Sequence, residues 1–185
     1  MEETKGNKMS YRYLGNSGLR VSVLSYGTWL TAHNPDSEAA IIDCIKASYA
    51  AGINFFDTAE IYGSGVAEEI LGKGIKALGC ERKDVVISTK FIKCGQGPND
   101  KMLGRKHLFD GVRASLKRMD LEYFDVIFCH RPDFATPLEE TCRAMSDIID
   151  DGKALYWATS EWSSSRITRA IEICKRLNLH EPIAD

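Results

Sequence analysis

The sequence predicts an α/β fold of the (β/α)₈ TIM-barrel type, incomplete, with about five to six βα units behind an N-terminal β-hairpin. Three observations predict it. Short apolar runs alternate with amphipathic helical stretches from Val23 onward. The connections between runs are too long for hairpins, which makes neighbouring strands parallel. Finally, Thr28, Asp57, Lys90, His130 and Ser160 each fall within two residues of the end of a different strand. In a barrel those ends converge on one face, where active sites are built, whereas a doubly wound sheet would splay them apart.

Met1 to Ser10 is polar and aperiodic and reads as a flexible leader, with Met9 an alternative start. Residues 11–185 then carry the fold. Tyr11–Leu14 and Leu19–Val23, separated by Gly15, Asn16, Ser17 and Gly18, give a hairpin signal that would plug one end. The barrel strands are expected at Val23–Tyr26, Ile53–Phe56, Val85–Thr89, Phe124–Cys129 and Ala154–Ala158. Helical faces between them are marked by Ile42, Ile45 and Tyr49, by Leu108, Val112 and Leu116, by Leu138, Cys142, Met145 and Ile149, and by Ile167, Ile171 and Cys174. A further helix spans Ala67–Leu78. Thr136-Pro137-Leu138-Glu139 reads as an N-cap, a first-turn proline and a capping-box Glu, and Ser163 caps the helix after it.

Gly63-Ser64-Gly65 is the rival sign, a dinucleotide-binding turn, but the third glycine of that fingerprint is absent. Length is the other tension. A closed barrel needs about 250 residues, and 185 residues supply five units and the start of a sixth near Pro182. An unclosed sheet leaves two strand edges unpaired, so the expectation is a fragment, a truncated isoform or an early-terminated gene model.

Composition narrows the function classes. A net charge of −2, with Lys and Arg dispersed, offers no basic field for nucleic acid and no polybasic membrane anchor. No run approaches the roughly 18 apolar residues of a membrane helix, and Met1 to Asn7 is not signal-like, so a cytoplasmic location is expected. The six cysteines are scattered without metal-ligand spacing and read as reduced structural thiols.

The chemistry lies in four side chains. A phenol has a pKa of about 10 and is a sluggish acid at neutral pH unless a cation stabilises its phenolate. Tyr62 sits five residues after Asp57, and Lys90 ends the next strand. Lys90 can supply the cation, and Asp57 can hold its ammonium charged. His130, ending the following strand, would donate to a substrate carbonyl while Tyr62 acts as general acid. The hydride must come from a cofactor. Taken singly, Asp57 is a turn or cap residue, Lys90 a solvated charge, Tyr62 a rim residue and His130 a loop histidine. Their joint placement after successive strands carries the functional reading.

The stretch Gly52-Ile53-Asn54-Phe55-Phe56-Asp57-Thr58-Ala59-Glu60-Ile61-Tyr62-Gly63, followed by Ala67-Glu68-Glu69-Ile70-Leu71-Gly72, closely resembles the aldo-keto reductase signature. Ile87-Ser88-Thr89-Lys90 and Cys129-His130-Arg131-Pro132-Asp133 match its later motifs. More narrowly, Tyr11 to Ser22, Gly27-Thr28-Trp29, Gly97-Pro98-Asn99-Asp100-Lys101, Thr136 to Met145 and Tyr156 to Ser163 are similar to the voltage-gated potassium channel beta-subunit branch, plant-like members above all.

The resemblance runs from about Tyr11 to Ile183. It implies a (β/α)₈ barrel, NADPH as cofactor, small carbonyl substrates, and a catalytic tetrad at Asp57, Tyr62, Lys90 and His130. It further implies that Thr28, Trp29, Ser160 and Glu161 line the nicotinamide end of the cofactor, with Asp57 beside them. Animal channel beta subunits often carry Asn where His130 stands, so His130 makes the chain resemble active reductases; Glu161 stands where animal members carry Arg. A channel's cytoplasmic domain as partner, a peripheral place at the membrane through it, and a homo-tetramer are implied by the same resemblance. In the family a carboxy-terminal region supplies most contacts to the cofactor phosphates, so weak or absent NADPH binding is expected of these 185 residues.

Overall fold

The computed structural model describes residues 9–30 and 37–185. Its strands are β1 (Tyr11–Tyr13), β2 (Arg20–Ser22), β3 (Tyr26–Gly27), β4 (Phe55–Asp57), β5 (Val86–Phe91), β6 (Phe124–Cys129) and β7 (Ala154–Thr159). Its helices are α1 (Glu38–Ala50), α2 (Val66–Leu78), α3 (Arg105–Met119), α4 (Leu138–Asp150) and α5 (Ser164–Leu177). β1 and β2 form an antiparallel hairpin, with Tyr11 opposite Ser22. The other strands form one sheet in the order β3-β4-β5-β6-β7, each parallel to the next. An order that follows the chain has no switch point, which excludes the doubly wound alternative. Each helix packs on the next, α1 on α2 through to α5, as on the outside of a barrel.

Alternation of side chains across the sheet explains the core. Phe56, Ile87, Phe91, Ile127, Cys129 and Trp157 face the helices and are wholly buried, each of the large ones worth about 1.5–3 kcal/mol. The opposite row includes Phe55, Asp57, Lys90, Phe128 and Tyr156, all only partly covered. The hairpin docks at the amino ends of the strands. Tyr11 Oη donates to Gly52 O at 2.8 Å, Ser22 N to Asn54 Oδ1 at 2.7 Å, and Asn54 N to Ser22 Oγ at 3.1 Å. That leaves the carboxyl ends open for chemistry. After α5 the chain returns beside β7, where Ile183 N donates to Trp157 O and Thr159 N to Ala184 O, both at 3.0 Å.

Several elements differ from expectation for identifiable reasons. The first barrel strand is Tyr26–Gly27 rather than Val23–Tyr26. Val23 N donates to Ser10 O and so prolongs the hairpin, and Leu24 is 61% exposed. Residues 1–8 of the expected leader lie outside the described residues. The core stripes of two helices are rotated: α1 buries Ile41 and Ile45 rather than Ile42, and α5 buries Ala170, Ile173 and Cys174 rather than Ile171. Pro137, not Thr136, holds the N-cap position of α4, without a side-chain cap. Thr136 N instead donates to Asp133 Oδ1 at 3.2 Å. Ser163 caps α5 as expected, accepting from Arg166 N at 3.3 Å.

Packing of α2 against the end of α3 depends on Gly72. A Cβ there would stand 2.6 Å from Met119 O and 2.7 Å from Met119 Cα, both backbone atoms that cannot swing away. Gly72→Ala is therefore expected to cost about 1–3 kcal/mol of stability in chemical denaturation. Gly18→Ala, where a Cβ meets nothing within 4 Å, should leave the midpoint within about 0.5 kcal/mol of the parent.

Candidate active site

Backbone bonds carry the strand ladder beyond the strand ends and set the site at one level. Thr28 N donates to Asp57 O at 3.1 Å, Thr58 N to Ser88 O at 3.0 Å, Glu60 N to Lys90 O at 3.1 Å, and His130 N to Phe91 O at 3.0 Å. Register places Asp57 opposite Ser88, two residues before Lys90 and on the same face of the sheet. Lys90 Nζ accordingly donates to Asp57 Oδ2, and to Thr58 O at 2.9 Å. Ser88 Oγ donates to the other carboxylate oxygen, Asp57 Oδ1, at 2.6 Å. The Lys90 side chain is 12% exposed. Burial lowers its pKa from the ordinary lysine value, and the Asp57 charge opposes that fall.

Tyr62 is delivered by a tight turn, Tyr62–Gly65, in which Gly63, Ser64 and Gly65 have φ of 57°, 54° and 97°. A side chain on Gly65 would be strained by that φ and would strike Arg118. The turn lets α2 start at Val66 while the Tyr62 ring lies edge-on to His130, with centroids 5.6 Å apart at 80°. Lys90 Nζ stands 5.4 Å from the Tyr62 ring centroid. The four expected side chains thus meet.

One electrostatic expectation is corrected. The Tyr62 pKa is raised rather than lowered, first by burial and then by the Asp57 charge, with only Arg131 pulling the other way. In the resting site the ammonium is spent on Asp57, so the phenol keeps its proton. His130 is 7% exposed, and its pKa falls to about 4, first through burial and then through the cations Lys90 and Arg131. The imidazole is therefore neutral at neutral pH, and its buried Nδ1 has no hydrogen-bond partner among the described residues.

These groups open on a cleft of about 440 Å³ lined by Trp29, Ile61, Tyr62, Lys90, His130, Arg131, Ser160 and Glu161. Of the residues expected at a cofactor, Trp29, Ser160 and Glu161 reach the cleft. Thr28 lies buried beneath it, its hydroxyl donating to Thr58 Oγ1 at 2.9 Å, and the Asp57 carboxylate is turned to Lys90 and Ser88. Glu161, at φ 55°, meets Arg131 Nη2 at 3.0 Å. Arg131 also donates to His130 O at 2.6 Å and to Ser160 Oγ at 3.3 Å, tying the ends of β6 and β7 together.

Arg131 and Ser88 escaped the sequence reading. The period-2 alternation could have found Ser88, two residues before Lys90 on the same face. Nothing local marks Arg131, because its side-chain partners Ser160 and Glu161 lie about thirty residues ahead.

The model of the Aldo/keto reductase family matches residues 23–183. Two plant proteins, each called "Probable voltage-gated potassium channel subunit beta", are similar to the chain. That of Oryza sativa subsp. japonica is 54% identical over 177 residues, 96% of this chain and 54% of the relative. That of Arabidopsis thaliana is 52% identical over 180 residues, with the same shares covered. The chain spans about half the length of these curated relatives. A crystal structure of a thermostable aldo-keto reductase with the inhibitor epalrestat aligns with a TM-score of 0.82 at 30% identity, covering 95% of this chain and 60% of that one. Parallel strands in chain order, the converging strand ends and a family match across nearly all of the barrel segment give one conclusion: the chain belongs to the aldo/keto reductase family.

Proposed function

We propose that the chain carries the proton-transfer half of an NADPH-dependent reductase of small aldehydes or ketones, of the potassium-channel beta-subunit type. The observation that carries this reading is the Lys90 ammonium, bonded to Asp57 and standing 5.4 Å from the ring of Tyr62 at a shared cleft. The donor set fits a nicotinamide cofactor's reactive end. Trp29 offers an uncovered flat face, 62% exposed, and His130 holds an unpartnered buried ring nitrogen. Trp29, Ser160 and Glu161 would hold that end. NADPH, when bound, supplies the hydride that no side chain can.

The chain's own residues supply the rest. Tyr62 keeps its proton at neutral pH and gives it to the carbonyl oxygen as negative charge develops there. An ammonium has three donors, and Lys90 uses two on Asp57 and Thr58 O. The third can stabilise the phenolate left behind, which solvent then reprotonates. Neutral His130 orients the carbonyl as a hydrogen-bond donor without carrying charge into the site.

A second reading comes from the relatives' names: a regulatory subunit in the cytoplasm, held at the membrane by a voltage-gated potassium channel and assembled as a homo-tetramer. No helix among the described residues is long and apolar enough to cross a membrane, so such a place would need a partner. Unchanged channel gating by a Tyr62→Phe variant would favour this reading over chemistry.

Tyr62→Phe in the complete protein is expected to lower kcat for an aromatic aldehyde by about 10²–10⁴-fold with little change in KM; retained turnover would remove Tyr62 as the acid. His130 should titrate by NMR with a midpoint near 4. Its folded pKa lies below the ordinary histidine value, so its contribution to stability is present above pH ~6.5 and is lost as pH falls through about 4. Thermal melts across that range read the loss. NADPH fluorescence should show no saturation with these 185 residues, since both cations lining the cleft, Lys90 and Arg131, are committed to carboxylates. Micromolar binding would contradict that.

A further inference from the structure

Behind the sheet, two carboxylates are buried among the helices with no part in the proton transfer. Glu60 and Glu68 are both wholly buried. Glu60 Oε1 meets His107 Nε2 at 2.9 Å, and Glu68 Oε2 accepts from Arg118 Nε at 2.6 Å. Both partners come from α3, about three turns apart and hence on one face of it. Burying such pairs seldom adds stability over apolar residues of similar volume, and half-satisfied ones cost it. Among the described residues Glu60 Oε2 has no hydrogen-bond partner, so stability alone is a poor account of the arrangement.

What the carboxylates hold does explain it. Glu60 brackets the end of β5: its backbone N–H donates to Lys90 O at 3.1 Å, and its Oε1 accepts from Ile92 N at 2.7 Å. Glu68 takes the other side, its Oε1 accepting from Thr89 Oγ1 at 2.6 Å. Three points around Lys90, at residues 89, 90 and 92, are thereby fixed from behind the sheet. α3 leaves room for this at Gly111, where a Cβ would stand 3.0 Å from Phe91 Cδ1 and 3.1 Å from Glu60 Oε2.

We propose that the pairs Glu60–His107 and Glu68–Arg118 form a buried clamp that sets the position of Lys90 relative to Asp57, making Glu60 and Glu68 positioning residues of the site. The inference rests on the reading of Lys90 as a member of the catalytic set. It links the register of α3 to the front of the sheet. A shift of α3 moves His107 and Arg118 together, and with them both anchors of the β5 end.

Side-chain NMR of ¹⁵N-labelled lysine in the full chain tests it, with the Lys90 signal assigned by its loss in Lys90→Arg. Glu60→Ala and the near-isosteric Thr89→Val should each move that signal and lower its titration midpoint further, because the Asp57 contact that holds it up is loosened. Glu60→Gln, whose carbonyl can still accept from Ile92 N, should restore most of the parent behaviour. Ile173→Val, a core change on α5, controls for lost stability alone and should leave the signal in place. A Lys90 signal in Glu60→Ala and Thr89→Val that matches the Ile173→Val control would overturn the clamp. Absence of carbonyl reduction in the complete protein, with the Lys90 shifts seen, would sink the reductase reading while the clamp stands.

Discussion

A buried ammonium at a strand end is the constraint around which this molecule is arranged. Removing a charge from water costs several kcal/mol, and Lys90 meets that cost through Asp57, Thr58 O and the Ser88 hydroxyl that completes the carboxylate's partners. These contacts exist only if β4 and β5 pair with Asp57 opposite Ser88. A slip of one residue would turn Lys90 into the apolar layer beneath the helices and bring Phe91 out to the open face. The site and the register of the sheet are therefore one specification. Glu60, which bonds on either side of Phe91, belongs to it as much as Asp57 does.

The same low-dielectric pocket assigns its proton carriers opposite tendencies. Burial opposes charge on every group, so Tyr62 is pushed up, Lys90 down and His130 down. Asp57 then separates them: its charge offsets part of the fall at Lys90 and adds to the rise at Tyr62. Lys90 and Arg131 in turn press His130 further toward neutrality. The resting state thus has one fixed ion pair, one protonated phenol and one neutral imidazole. On the proposed reading that set is ready to give a proton and not to take one, as a carbonyl about to gain negative charge would require.

Much of this was legible in the residues, for reasons that also explain the rest. β6 was placed to the residue, because Phe124–Cys129 is apolar but for Asp125 and is bounded by polar turns. Asp57 and His130 were legible because they stand at or just past a strand end, and Lys90 because it is a charge next to one. The first strand was not, since Val23 and Leu24 are apolar yet serve the hairpin and solvent, while β3 is only Tyr26 and Gly27. Helix stripes at Ile42 and Ile171 were rotated because Ile41 adjoins Ile42 and Ile173 lies two residues after Ile171, which leaves the period ambiguous. Thr136 does not cap α4, because the Asp133 carboxylate draws its N–H and that of Ala135 into the turn before the helix. The Tyr62 shift was misjudged for a different reason. Sequence supplies the neighbours of a charge, not how far burial outweighs them.

Proton chemistry and cofactor grip are separable in this architecture. Asp57 ends β4, Tyr62 follows it, Lys90 is next to last in β5 and His130 follows β6, so three adjacent strands hold the whole of the proposed proton-transfer set. The clamp behind them uses only α2, α3 and the loop after β4. None of these contacts reaches across the barrel axis, and none depends on how many further units close the sheet. A dinucleotide's phosphates make the opposite demand, for uncommitted donors and cations, and the cleft's two cations are already paired. On the proposed reading, proton transfer is a local property of three βα units, whereas cofactor affinity would be met by groups outside them.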